Sequence, residues 1–281
     1  VRKIEIKTKG LSNQIFSGEY HSAFKGSGMA FSEVREYAIG DEIRKIDWNV
    51  SARLNSTYVK VFDEERELTV MLLVDLSSSG EFGSHNQEKR HLITELCAVL
   101  AFSANQNNDK IGAIFISDKV EKYIPANKGR KHALLILREL IEFNPTSKGT
   151  NITEGLKFFR NIQKKRSICF VISDFIDDND FLSSIQLNTK KHDMVAIMLR
   201  DKGEFELPKM GIVQVQNYET GSVSWVNSNN EQVRKNYKRT FLDKQESSIQ
   251  LFRKSGIDYT LIETDEDFVL PLVNLFKHRK K

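Results

Sequence analysis

From Glu67 to Gly80 the chain reads Glu-Leu-Thr-Val-Met-Leu-Leu-Val-Asp-Leu-Ser-Ser-Ser-Gly. Leu68 to Val74 is a nearly unbroken apolar run of strand length. Such a run suits a strand covered on both faces, not one that alternates between core and water. Within one residue the character flips to Asp75, Ser77 and Ser79, oxygen-bearing side chains at alternate positions, and Gly80 lets the chain turn. In an open α/β sheet, ligands bind just beyond the carboxyl ends of the strands. Hard oxygen ligands of this kind suit Mg²⁺ or Mn²⁺. The same letters also describe an ordinary serine-rich turn after a strand, so the rest of the chain has to decide.

From Glu67 onward, strand and helix patterns alternate, which argues for a parallel sheet covered by helices. Gln87 to Gln106 is expected to be helical, with Leu92, Ile93, Leu96, Cys97, Val99, Leu100 and Phe102 on a wide apolar face. Lys110 to Ser117 reads as a second buried strand, with Val120 to Ile124 turning back as an edge hairpin. Lys131 to Phe143 reads as a helix, and another follows Lys148-Gly-Thr-Asn-Ile152 and runs to about residue 162. Arg166 to Ser173 is an apolar strand that also ends on a carboxylate, Asp174. A short helix over Phe181–Leu187 and a strand over Asp193–Leu199 come next. Residues 201–228 look like a hairpin-rich excursion with strands at Ile212–Val215 and Val223–Val226. A long polar-faced helix from about Asn230 to Ser255, a strand at Asp258–Ile262 and a helix at Asp267–Phe276 complete the pattern.

Residues 1–66 are expected to form a smaller β-rich part packed on the main α/β domain of 67–281. Lys3–Lys7 and Thr57–Phe62 alternate as strands do. Between them, Gly-rich, charged and aromatic residues are interleaved too tightly for a simple helix or strand. Arg35, Arg44 and Arg53 could pair there with Glu36, Asp41, Asp47 or Glu64.

The 281 residues are 40% hydrophobic and 28% charged, enough for one large α/β domain with a smaller companion. A net charge of +4 is too mild to argue for nucleic acid. Lys164-Lys-Arg166 and the basic stretch from Lys277 read as solvated faces, with no aromatic-basic RNA motif beside them. Cys97 and Cys169 both sit in apolar patterns and read as reduced core residues. No run is long and apolar enough to span a bilayer, and no signal-peptide pattern is present. No transmembrane segment and a cytoplasmic location are therefore expected.

The three loops after Val74, before Ile152 and after Ser173 fall on one edge of such a sheet. Asp75, Ser77, Ser79, Thr150 and Asp174 would then surround one crevice. Two carboxylates and three hydroxyls suit an ion that retains waters and leaves a position for an outside oxygen. Either carboxylate can bind directly or orient a bound water.

Asp75-Leu-Ser-Ser-Ser79, Gly149-Thr-Asn151 and Ser173-Asp174 resemble the metal-ion-dependent adhesion site of von Willebrand factor A-type domains. Arg35-Glu-Tyr37, Gly40-Asp41, Arg44-Lys-Ile-Asp-Trp48, Ser51-Ala-Arg53, Tyr58-Val-Lys60 and Glu64-Glu-Arg66 resemble a narrower group, the bacterial domain of unknown function fifty-eight family. That likeness spans roughly residues 17 to 265. One departure is Ser78-Ser79-Gly80, where many relatives carry a bulky residue after the last serine. The resemblance implies an α/β doubly wound A-type domain, a Mg²⁺ or Mn²⁺ ion, no established enzymatic activity and a protein partner that offers an Asp or Glu carboxylate. It also implies association with MoxR-type AAA+ ATPases in assembly or maturation of other proteins.

A metal-assisted hydrolase such as a phosphatase is the alternative, since a divalent ion can stabilise a phosphoryl group. Against it, the second carboxylate of an Asp-x-Asp pair is missing at residue 77, which is serine, and the six histidines are scattered. Gly26-Ser-Gly28 neither follows a buried strand nor opens a helix, as dinucleotide binding would require.

Overall fold

The computed structural model describes residues 20, 23–24, 29–64, 67–77, 83–147, 149–177, 181–216 and 223–279. The chain divides into two compact units, residues 24–68 and a larger body that contains residues 69–281 together with the chain up to Ala23. The strand expected at Lys3–Lys7 lies outside the described residues.

In the smaller unit, β1 (Met29–Glu36) pairs antiparallel with β2 (Tyr58–Glu64), with a register shift between Phe31 and Glu33. A 3₁₀ turn at Ile43–Lys45 and helix α1 (Trp48–Leu54) lie between them. Here the expectation of neither strand nor helix is corrected. Pairing with β2 gives the charged residues of β1 their ladder hydrogen bonds. Asp47 starts α1 by accepting from the N–H groups of Asn49 and Val50 at 3.0 and 3.2 Å. Arg35 grips Asp41 with two N–H···O bonds of 2.7 Å each, the bidentate form that a guanidinium favours.

The larger body is organised by its apolar runs. In chain order they are β3 (Thr69–Asp75), β4 (Lys110–Ile116), β5 (Val120–Asn127), β6 (Ile168–Ser173), β7 (Asp193–Arg200) and β10 (Asp258–Glu263). A separate antiparallel hairpin of β8 (Ile212–Gln216) and β9 (Val223–Asn227) stands between the last two. The six strands lie in the order β10-β7-β6-β3-β4-β5. Every neighbouring pair is parallel except β4 and β5. Strand β3 thus sits inside, with Val70 to Val74 fully buried, because residues on both of its faces are covered.

Helices supply that cover: α2 (Gly83–Gln106), α3 (Arg130–Glu142), α4 (Ile152–Ile162), α5 (Leu182–Thr189), α6 (Lys202–Phe205), α7 (Glu231–Ser255) and α8 (Val269–His278). Met71 and Leu73 of β3 share one core with Ile152, Leu156 and Phe159 of α4, Ile185 of α5 and Phe252 of α7. On β6, Phe170 meets the ring of Phe276 from α8 at 6.4 Å, while its neighbours Cys169 and Val171 belong to the α4 core. This is the doubly wound, mostly parallel α/β arrangement expected from the sequence. Helix α2 starts at Gly83, four residues before the expected Gln87. The 201–228 excursion departs from the expected hairpins by opening with the short α6, which Asp201 caps by accepting from Gly203 N at 2.7 Å.

Cys97 and Cys169 are buried free thiols, and burial pushes both well above the ordinary thiol range. Among the described residues, no helix is long and apolar enough to cross a membrane.

Candidate functional site

Parallel pairing aligns the strand ends. Asp75, the last residue of β3, is in register with Ile116, the last of β4, and Val74 lies opposite Ile172 of β6. Leu76 N then donates to Ile116 O at 2.9 Å, so the chain leaves the sheet at a fixed point. Ser77 N folds back onto Asp75 Oδ1 at 3.0 Å. The other carboxylate oxygen, Oδ2, accepts from Ser173 Oγ at 2.7 Å, across the β3–β6 boundary.

The third loop is clamped from three directions. Asn151 N donates to Ser117 O at 2.8 Å, Ile152 N donates to Asp177 Oδ2 at 2.9 Å, and Asn151 caps α4 by accepting from Glu154 N. Upstream, Glu121 accepts from the N–H groups of Thr146 and Ser147 at 3.0 and 3.2 Å. Held in this way, Thr150 Oγ1 donates to Ser77 Oγ at 2.8 Å. Asp75, Ser77 and Thr150, from segments 73 residues apart, therefore meet at one point.

Asp174 follows β6 and is equally buried, but its carboxylate is already engaged. Oδ1 accepts from Ile176 N at 3.0 Å, and Oδ2 accepts from Lys89 Nζ at 2.9 Å. The next residue, Phe175, has φ 55°, a left-handed conformation that a bulky side chain rarely adopts. Its ring is locked against Phe252 at 4.8 Å and Phe181 at 6.1 Å, which holds the loop in that shape. Ser79 lies outside the described residues.

The electrostatics are those of a crowded acid site. Burial first, and the neighbouring Asp174 second, raise Asp75 to about 6. The hydrogen bonds onto Asp75 come from neutral donors, the Ser77 backbone and hydroxyl groups of Ser77 and Ser173, which only partly offset that rise. Lys89 reaches in from α2, its side chain 5% exposed, and bonds Glu204 Oε1 of α6 at 2.6 Å as well as Asp174. Burial disfavours the Lys89 charge, but Asp174 and Glu204 outweigh it and its pKa is raised. Burial likewise raises Glu204, against the pull of Lys89. The second Glu204 oxygen, Oε2, is buried without a hydrogen-bond partner among the described residues.

Residues 33–247 match the family described as "Protein of unknown function DUF58". The chain belongs to the DUF58 family. This DUF58 protein is 26% identical to the "Uncharacterized protein Rv1480" of Mycobacterium tuberculosis over 283 aligned positions, covering 100% of this chain and 89% of that protein. It is 28% identical to the "Uncharacterized protein YeaD" of Bacillus subtilis over 131 positions, which is 47% of this chain and 29% of that one. Among solved structures, an aerotolerance-related membrane protein from Bacteroides fragilis, carrying multiple mutations to serine, superposes with a TM-score of 0.51. That match has 15% identity and covers 76% of this chain and 98% of the other, so it speaks to the fold alone.

The sequence pattern does not single out Lys89 and Glu204 of this DUF58 protein. A lysine at the start of a helix reads as a solvated residue, and Glu204 sits in a stretch without clear pattern. One signal was available. Lys89 lies three, four and seven residues before Leu92, Ile93 and Leu96, so it continues the buried stripe of α2 by one turn. A charge on that stripe has to find buried partners.

Proposed function

We propose that this protein is a metal-dependent protein-interaction module rather than a catalyst. Mg²⁺ or Mn²⁺ would be held by Asp75, Ser77 and Thr150, with Ser79 as a further hydroxyl and Asp174 as an inner or water-mediated carboxylate. The observation that carries this reading is the 2.8 Å contact between Thr150 and Ser77 hydroxyls beside the buried Asp75. Two hydroxyls and a carboxylate converge there, a donor set of hard oxygens. The fit is electrostatic as well: Asp75 is raised to about 6 because burial and Asp174 disfavour its charge, and a cation would reverse that.

Bound there, the ion would supply a Lewis-acidic position for one outside oxygen. An Asp or Glu carboxylate of a protein partner is the group that fits it. The family resemblance supports a MoxR-type AAA+ ATPase system as the setting, with assembly or maturation of other proteins as the outcome.

Calorimetric titration of Mg²⁺ and Mn²⁺ into the wild-type protein and Asp75→Ala tests the site. Saturable binding is expected in the wild type and should be lost in the variant. Equal binding in both would place the ion elsewhere, and silence in both would remove the metal from the function. ATPase capture that survives chelation would separate the partner from the metal.

A further inference from the structure

Lys89 and Glu204, which the metal-binding reading leaves unused, form an ion-pair chain with Asp174. Nζ lies 2.9 Å from Asp174 Oδ2 and 2.6 Å from Glu204 Oε1. The lysine crosses 85 residues of sequence to the first partner and 115 to the second. Its side chain is 5% exposed, and those of Asp174 and Glu204 are 6% and 20% exposed. Tyr237 of α7 donates to Glu204 O at 3.0 Å, which holds the acidic end of the chain in place.

We propose that Lys89 is a resident counter-cation of the site: it takes Asp174 away from an incoming divalent ion and sets a weak affinity for it. The inference rests on the metal-binding reading. Asp75, Asp174 and Glu204 bring three negative charges and Lys89 one positive, which leaves two negative charges for a divalent ion to balance. The ammonium covers Asp174 Oδ2, and Ile176 N covers Oδ1. Asp75 is then the carboxylate that an ion meets without displacing a cation. A buried positive charge held against Asp174 also repels a second cation at the same carboxylate. Replacing Lys89 with an apolar residue of similar length would leave three negative charges, freeing Asp174 and unpairing Glu204. The cation-free protein should lose stability and the ion should bind tighter. These opposite effects distinguish a counter-cation from a residue that merely supports the fold.

The test uses Mn²⁺ alone as the probe, with free Mn²⁺ followed by electron paramagnetic resonance and thermal unfolding measured with and without the ion. Lys89→Met is expected to have a lower Tm without metal, at least tenfold tighter Mn²⁺ binding and a larger Mn²⁺-dependent rise in Tm. Glu204→Gln keeps Lys89 on Asp174 and removes one negative charge, so it is expected to bind Mn²⁺ at least threefold more weakly. It also decides the matter if Lys89→Met does not fold. Wild-type affinity in both variants would overturn the role of Lys89 and leave the metal site standing. Binding by Lys89→Met but not by the wild type would support the resident cation and overturn a metal-loaded native site. Absence of binding in all three proteins would overturn both.

Discussion

At the scale of single residues, His192 makes the fold sensitive to acid. It is buried, with Nδ1 3.0 Å from Ser167 Oγ and its ring 4.7 Å from Phe159. Nε2 has no hydrogen-bond partner among the described residues. Burial first, and Lys191 second, lower its pKa from 6.5 to about 4. The unfolded chain therefore takes up a proton near pH 6.5 that the folded chain refuses until about 4, so stability falls as pH drops through that window. Between pH 7 and 5 the loss should be ~2 kcal/mol, since each tenfold difference in proton affinity between the two states is worth about 1.4 kcal/mol. Urea unfolding of the wild type and His192→Gln at both pH values checks this. The wild type should lose ~2 kcal/mol more than the variant, and parallel losses would show that His192 is not the group responsible.

At the scale of elements, two glycines show where close packing fixes the sheet that carries the site. A Cβ on Gly112 of β4 would stand 2.8 Å from Ala126 N, Ile124 O and Met71 Sδ. Two of those atoms are backbone of β5, at the place where its pairing register with β4 shifts. A Cβ on Gly155 of α4 would meet side-chain carbons instead, Ile116 Cγ2 at 2.9 Å and Leu73 Cδ1 at 3.0 Å. Side chains can rotate away and a strand backbone cannot. Helix propensity also favours alanine at Gly155 by ~1 kcal/mol. Gly112→Ala should therefore destabilise by ~3 kcal/mol and Gly155→Ala by ~1 kcal/mol, as overpacked positions do. Chemical denaturation of the two variants would reveal the order, and a reversed order would refute the argument. The same elements show what was legible in sequence. Strands β3, β4, β6 and β7 could be read because two-faced burial leaves almost no polar letters in them. Asp75 and Asp174 could be placed on one sheet edge because polarity flips at the ends of β3 and β6, which parallel pairing aligns, and Thr150 because a Gly-Thr-Asn turn opens α4. The strand β1 and the helix α1 could not, because their hydrogen bonds depend on a partner strand and a single capping carboxylate. Lys89 and Glu204 stayed hidden because 115 residues separate them.

At the scale of the molecule, the candidate ion would connect segments that unfold together. Asp75 ends the central strand β3, Ser77 follows it, and Thr150 sits in a loop tied to β4 through Asn151 and to the β6 loop through Ile152. An ion bound only by this folded arrangement adds stability by mass action, ~2.7 kcal/mol when present at about 100 times its Kd. Amides that exchange only through global opening should then exchange ~100-fold more slowly. The effect is expected in the body that holds β3, β4, β6 and β7. The unit of residues 24–68 contributes none of the five candidate ligands, so its own opening should be indifferent to the ion. Hydrogen exchange with and without Mn²⁺ separates the two cases. A gain confined to residues 69–279 means that the two units open independently and that the ion stabilises one of them. An equal gain over residues 29–64 would refute that independence, because one cooperative transition would then be carrying the effect of the ion into both.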